Sequence, residues 1–148
     1  MAFKPINSDH SVSAASFQLQ FQGGIPADVI SAVREHASLW QKTLPAMNFP
    51  QVLQVQLGPG ATGPTAGELL AGGVEFSFMR PDGTPAWIMR VDGGAVVVEC
   101  SRYTRWHSVF AQATGYFRDF LRVASGVKPD LTVAKHVLVV IDDFLWYG

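Results

Sequence analysis

The last twelve residues constrain the fold of this chain more than any other segment. Five consecutive aliphatic residues, 137–141, lead into Asp142 and Asp143, and four large apolar residues follow. Because a chain terminus is normally polar and frayed, we expect those four to be packed in the fold, against a second copy, or against a partner. The near-continuous apolar run 132–141 also predicts a strand that is covered on both faces. The four terminal apolar residues are Phe144, Leu145, Trp146 and Tyr147.

Alternating apolar and polar residues, together with turn sequences, predict five further strands. In residues 16–22, Phe17, Leu19 and Phe21 share one face, and glutamines occupy the other, which is the period of a half-buried strand. Turn sequences at 81–84 and 92–94 predict antiparallel hairpins. Alternation also predicts strands at 53–57 and 74–78, and the two turns place strands at 86–91 and 95–101.

Two stripes at helical spacing predict two amphipathic helices. The first follows Pro26 and ends at Pro45, and the second follows Thr104 as the N-cap. The element order is therefore β-α-β-β-β-β-α-β, an α+β fold with a curved, mainly antiparallel sheet packed by both helices. The stripes comprise Val29, Ile30, Val33, Ala37, Trp40 and Leu44, and then Trp106, Phe110, Ala113, Phe117, Phe120, Leu121 and Ala124.

Length and composition limit the organisation of the chain. With 148 residues, 48% of them hydrophobic, we expect a single domain over 1–148, with a flexible N-terminal arm at 1–15 and a glycine-rich loop at 58–73. The formal net charge of −1 excludes a global field that would attract nucleic acid or anionic membranes. No apolar stretch suits a signal peptide or a membrane span, so we expect a soluble, cytoplasmic protein.

The residues that carry catalytic chemistry elsewhere occur here in weak patterns. Residues 58–63 match G-x-G-x-x-G, but Pro64 and Gly67 interrupt the helix that should follow. Cys100 is the only cysteine, which excludes an intramolecular disulfide and a zinc site with several thiolates. A pair of Cys100 with His107 or His136 is not required by their spacing. We expect no metal ion and no cofactor.

Two sets of polar residues are candidate functional sites. Asp142 and Asp143 close a strand, where carboxylates can hold magnesium or act as acid and base, but adjacent strand residues point to opposite faces. Four arginines and nearby aromatic residues around the second helix could hold a phosphate backbone, although an ordinary solvated helix face is the stronger interpretation. These arginines are Arg102, Arg105, Arg118 and Arg122.

A surplus of apolar residues is the strongest functional signal. Trp87, Met89 and Val91 lie on one strand face opposite Ala86 and Ile88, so parts of both sheet faces are apolar. We expect two helices to be too few to cover them; the alternative is that the helices and the long loop together cover both faces. Together with the apolar tail at 144–147, this surplus predicts a hydrophobic interface.

Several segments resemble a sporadically distributed family of uncharacterised bacterial proteins. The resemblance lies in residues 76–83, 87–91 and 96–103, in Trp106 with the helix at 110–120, and in the strand end 140–144. It implies a bacterial or phage protein of the cytoplasm, with a mobile-element or defence role as a further expectation. It also implies relatives that continue into a second half, so this chain is expected to be an N-terminal module or a form that completes its sheet by oligomerising.

The leading hypothesis is a non-enzymatic protein-interaction module. It would associate with itself, or with a protein partner, through a sheet edge and the tail at 144–147. The first alternative is a small-ligand or nucleic-acid-binding domain that uses the sheet and the arginines. The second alternative is a metal-dependent enzyme around Asp142 and Asp143.

Overall fold

The computed structural model describes residues 2–5, 11–52 and 70–147. Three helices lie against an antiparallel sheet, which confirms the predicted α+β class. The elements in chain order are β1 (Ala2–Pro5), β2 (Val12–Phe21), α1 (Ala27–Glu35), α2 (Ser38–Gln41), β3 (Ala46–Asn48), β4 (Gln51–Val52), β5 (Leu70–Ala71), β6 (Val74–Met79), β7 (Pro85–Val91), β8 (Ala95–Cys100), α3 (Trp106–Val127), β9 (Val133–Asp142) and β10 (Phe144–Tyr147).

In this described part of the chain, six strands form the main sheet in the order β3-β6-β7-β8-β2-β9. All of its neighbouring strands are antiparallel. Two smaller pairs lie outside it, β1 with β10 and β4 with β5. The sheet therefore has two edges, β3 on one side and β9 on the other.

The two predicted hairpins are present and are closed by aspartates. Asp82 Oδ1 accepts hydrogen bonds from the N–H and the hydroxyl of Thr84, at 2.9 and 2.6 Å, and these bonds hold the pKa of Asp82 below its usual value. Asp92 Oδ1 accepts from the N–H groups of Gly94 and Ala95. Short polar side chains stabilise turns in this way, so β6, β7 and β8 form the two predicted hairpins.

The core lies between the helices and one face of the sheet. Trp40 is fully buried, stacks on Phe76 at 5.4 Å and donates to the carbonyl of Tyr116 at 3.4 Å. Phe21 packs against Phe120 at 5.6 Å. The alternation seen in the sequence thus places the odd-numbered residues of β2 under α3.

Several boundaries differ from the prediction. The first helix was predicted as one, but it divides into α1 and α2, because the hydrogen bonds from Ala37 N–H to Arg34 O and from Leu39 N–H to His36 O span three residues instead of four. Residues of the predicted flexible arm, Ala2–Pro5 and Val12 onwards, form β1 and the start of β2. Asp143 N–H donates to Ser11 O at 2.8 Å, which extends the pairing with β9.

The strand predicted at 53–57 and most of the glycine-rich loop 58–73, including the G-x-G-x-x-G match, lie outside the described residues. β3 pairs with β6, in the position next to β6 that we expect from the sequence for the strand at 53–57. Across the described ranges, no helix is both long and apolar enough to cross a membrane.

Candidate functional site

The strand β9 lies at an edge of the main sheet and is exposed on both faces. The prediction that this strand is covered on both sides is wrong for the described structure: Leu138, Val139, Val140 and Ile141 are each 41–50% exposed. A continuous apolar run is typical of a strand that is covered on both faces. Here the same run occurs in an edge strand whose two faces are exposed. Only β2 pairs with β9 among the described strands.

The direction of the backbone groups in β9 follows from the ladder at the centre of the sheet. Ser101 N–H donates to Ala86 O in β7, so odd-numbered residues of β8 bond to β7 and even-numbered ones to β2. Through the registers Val98↔Phe17 and Ser16↔Val139, odd-numbered residues of β9 then bond to β2. The N–H and C=O groups of the even-numbered residues His136, Leu138 and Val140 therefore point away from the sheet.

The side chains of these same residues lie on the helix face. Leu138 is opposite Phe17, whose ring lies 5.9 Å from Trp106 and 6.4 Å from Phe110 of α3. Residues opposite each other in a ladder share one face of the sheet. Leu138 therefore lies beside the aromatic start of α3.

One flank of α3 continues this apolar surface. Tyr116 contacts Thr43 and Trp87 on the side of α1 and α2, which places Phe110 and Leu121 on the opposite flank, towards β9. Trp106, the first residue of α3, stacks on Phe110. Trp106, Phe110 and Leu121 are 43%, 45% and 39% exposed. The sequence prediction that Trp106, Phe110 and Leu121 belong to the buried stripe is thus wrong. The other four predicted residues, Ala113, Phe117, Phe120 and Ala124, are buried, and the buried face extends to Val109, Tyr116 and Val123 on the side away from Phe110.

We call the outer edge of β9, with Leu138 to Ile141, and the flank residues Trp106, Phe110 and Leu121 the β9 surface. Large apolar patches on a protein surface mark sites of interaction. This surface is also continuous with hydrogen-bonding groups along the strand edge. It offers both components that an added strand uses, backbone bonds and side-chain contacts.

The apolar tail predicted as an interface forms β10. It pairs antiparallel with β1, in the register Lys4↔Leu145 and Pro5↔Phe144. Phe144 is 52% exposed and Leu145 is 49% exposed, and the side chains of Trp146 and Tyr147 lie outside the described part. The role of these four residues as an interface stays a prediction.

Asp142, the last residue of β9, and Asp143, which precedes β10, are exposed and bond to Ser11, just before β2. Asp142 Oδ1 accepts a hydrogen bond from the Ser11 hydroxyl at 2.7 Å, and Asp143 bonds through its backbone N–H. Within the described ranges, no group of three or more His, Cys, Asp and Glu side chains could hold a metal ion. The arrangement shown is a polar contact between strands.

The four arginines do not form one cluster. Arg102 and Arg105 lie just before α3, whereas Arg118 and Arg122 lie in its second half, about 20 Å further along the helix axis. Arg122 is paired with Asp119 at 3.8 Å. A nucleic acid would have to follow the length of α3 to contact all four.

A cleft of about 430 Å³ lies near the start of α3. Lys42 and Arg102 contribute positive charge to its lining, and Trp87 contributes an aromatic wall. At its base, Gln112 donates to the Tyr116 hydroxyl at 2.8 Å, and that hydroxyl shares a hydrogen bond of 2.9 Å with Thr43. The Gln112 amide and the Tyr116 and Thr43 hydroxyls therefore already have hydrogen-bond partners inside the fold.

Cys100 lies in the centre of the sheet, opposite Trp87 and Ala15. Its side chain is 1% exposed, and burial raises the pKa of the thiol. His107 stands at the exposed start of α3, and His136 lies on the edge strand, two strands away from β8 in the sheet order. Cys100 is therefore a buried apolar contact in this structure.

Comparisons with protein-family models, with curated proteins and with solved structures return no match.

Proposed function

We propose that this chain is a protein-interaction module that binds an extended strand of another polypeptide, from a second copy or a protein partner, at the β9 surface. One observation carries the proposal: four consecutive aliphatic side chains, Leu138 to Ile141, are 41–50% exposed on a ten-residue edge strand. The tail at 144–147 would lengthen the same surface.

Natural proteins protect the exposed edges of their sheets against pairing with other chains. A long apolar edge pairs readily with other chains, so proteins usually shorten it or place charges or proline on it. In β9 the central segment 137–141 carries none of these protections. An added strand would receive backbone hydrogen bonds from His136, Leu138 and Val140, each worth about 1 kcal/mol net.

The flank of α3 supports the same proposal. Trp106 and Phe110 stack on each other at 5.4 Å beside Phe17 and remain nearly half exposed. Aromatic residues are enriched in the cores of protein interfaces. A strand docked on β9 would extend the sheet beneath this flank and bury Phe110 together with Leu138.

The cellular setting is part of the proposal and follows from the family resemblance alone. A cytoplasmic protein of a bacterial mobile-element or defence system would use such a module to assemble with its own copies or with other components.

The test is a substitution that removes one outward N–H and leaves the ladder with β2 intact. Val140→Pro deletes a donor that points away from the sheet, a position that tolerates proline. Val140→Thr keeps the donor and the branched shape and is the matched control. Light scattering measures the mass of each chain, and fluorescence anisotropy measures binding of a labelled peptide of alternating threonine and valine with a lysine at each end.

We expect the wild-type chain and Val140→Thr to associate with themselves, with the peptide, or with both, and Val140→Pro to lose that association while staying folded by circular dichroism. Equal association of the proline and threonine variants would contradict the proposal. A wild-type chain that associates with neither itself nor the peptide would contradict it as well.

A further inference from the structure

We infer that the strand bound at the β9 surface is β9 of a second copy, antiparallel to the first, with Val139 on the two-fold axis. This inference rests on the proposed function and specifies its partner and its register. The two main sheets would join into one continuous antiparallel sheet of twelve strands.

Positive and negative side chains lie at opposite ends of the β9 segment. Lys135 and His136 lie at its beginning, and Asp142 and Asp143 lie at its end. Between them stand only aliphatic residues. In an antiparallel pair of identical strands, the beginning of each faces the end of the other, so cationic and acidic ends meet at both sides of an apolar centre. A parallel pair would place like charges together.

This charge pattern selects one register between the two copies of β9. With Val139 on the axis, Lys135 faces Asp143, His136 faces Asp142, and Val137 faces Ile141 of the other copy. With Leu138 on the axis, Lys135 would instead face an aliphatic residue. Only the register centred on Val139 places Lys135 and His136 opposite the two aspartates and aliphatic residues opposite one another along the whole strand.

The backbone of β9 agrees with this register. The outward groups of β9 belong to even-numbered residues, and the register pairs Leu138 with Val140 and His136 with Asp142, which are all even-numbered. Each such pair can exchange two backbone hydrogen bonds. Val139, whose backbone bonds to β2, then forms a non-hydrogen-bonded pair with its counterpart.

The α3 flanks fit the same arrangement. Leu138 and Val140 of both copies would meet on the helix face, between the two α3 helices. Phe110 and Trp106 of each copy would border this contact. Stable interfaces bury at least about 1,200 Å² in total, and the two flanks add apolar area to that of the paired strands.

The first test is disulfide trapping. Residues in a non-hydrogen-bonded pair have Cα atoms about 4.5 Å apart, within the range that a disulfide spans. Val139→Cys should therefore form a covalent dimer on mild oxidation. In Val137→Cys, the matched control, the introduced thiols are offset by four residues, about 13 Å along the strand. The wild-type chain controls for Cys100, which is buried.

We expect covalent dimer for Val139→Cys and little for Val137→Cys or the wild-type chain. Equal trapping at positions 137 and 139, or none at 139, would overturn the register.

The second test exchanges charges. Lys135→Glu and Asp143→Lys each place like charges in both end pairs of the dimer, and each should weaken self-association about fivefold at low salt. Mixing the two single variants restores opposite charges in both pairs, so the mixture should associate more tightly than either variant alone. No gain on mixing would overturn the antiparallel pairing.

The inference can fail without the proposed function failing. A wild-type chain that binds the peptide probe through an edge sensitive to Val140→Pro, yet keeps the mass of one chain at all concentrations, would overturn the second copy as partner. The edge itself would then still bind a strand.

Discussion

At one edge of the main sheet, β3 contributes three residues, and at the other, β9 contributes ten. Pro45 precedes β3 and Pro50 follows it closely, and the Arg34 guanidinium lies over the Phe49 ring at 4.9 Å. The centre of β9 carries four exposed aliphatic residues and no charge. One sheet thus has a short edge next to proline and arginine and a long apolar edge.

The difference shows where this fold is closed and where it can accept another chain. Short length, proline and charge are the usual protections of a sheet edge, and β3 has all three nearby. β9 has charge only at its two ends. Because both edges belong to one sheet and share one core, substitutions at the two edges can be compared directly in the same chain.

The largest expected effect comes from a charge placed on each edge. Leu138→Lys puts an ammonium group in the centre of the β9 surface, where association would desolvate it, so self-association should weaken by at least about 2 kcal/mol. Asn48→Lys, on the exposed end of β3, should leave association unchanged. Sedimentation equilibrium measures both, and equal weakening by the two lysines would break the distinction between the edges.

A smaller effect is expected from the contact that closes the β3 side. Arg34 donates to the carbonyl of Gly73 at 2.7 Å and covers Phe49. Arg34→Met keeps the apolar stem but removes the charged donor of this hydrogen bond. The loss should lower the free energy of unfolding by about 1.5 kcal/mol. Urea denaturation measures that loss. Association should stay as in the wild-type chain, and a change in association would assign Arg34 to the interface.

Two phenylalanines of similar exposure sharpen the comparison further. Phe110 is 45% exposed on the β9 side, and Phe49 is 53% exposed on the β3 side. Phe110→Ala should weaken association by about 1 kcal/mol, because it removes apolar area from the β9 surface. Phe49→Ala should not alter association. If titration calorimetry of dilution gave the same affinity for both variants, the α3 flank would have no part in the interface.

The smallest effect concerns the centre of the sheet, between the two edges. Burial raises the pKa of the Cys100 thiol, so the folded chain holds this proton more tightly than the unfolded chain does. The resulting stability is fully present below about pH 8.5, the ordinary thiol pKa, and is lost as the pH rises through the folded value.

Urea denaturation between pH 7 and pH 10 should therefore show a decline for the wild-type chain that is absent from Cys100→Ala. The difference in slope should stay below about 1.4 kcal/mol per pH unit. The same slope for both chains would mean that the thiol titrates alike in the folded and unfolded states.

Much of the fold could be predicted from local sequence signals. The alternation in residues 16–22 and the turns around Asp82 and Asp92 specify backbone geometry by themselves, and the structure confirms the strand and the hairpins. The stripe with Val29, Val33 and Trp40 also identified buried residues correctly, although it did not show where α1 ends.

The β9 surface was only partly predictable, because exposure depends on which strands become neighbours. An apolar run such as 137–141 looks the same in sequence whether its cover comes from this chain or from another. The missed signal was in α3, where Val109, Tyr116 and Val123 widen the apolar face on the side away from Phe110. Recognising that α3 has more apolar residues than one buried face can use would have indicated an exposed flank.

Residue-resolved amide hydrogen exchange along β9 tests the central claim most directly. In a single chain, Val139 N–H is bonded to β2 and is protected, whereas Leu138 and Val140 N–H point outwards and exchange fast. We expect a higher protein concentration to protect the N–H groups of Leu138 and Val140 from exchange and to leave the exchange of Val139 N–H little changed. Fast exchange at Leu138 and Val140 at every concentration would contradict self-pairing of the β9 edge.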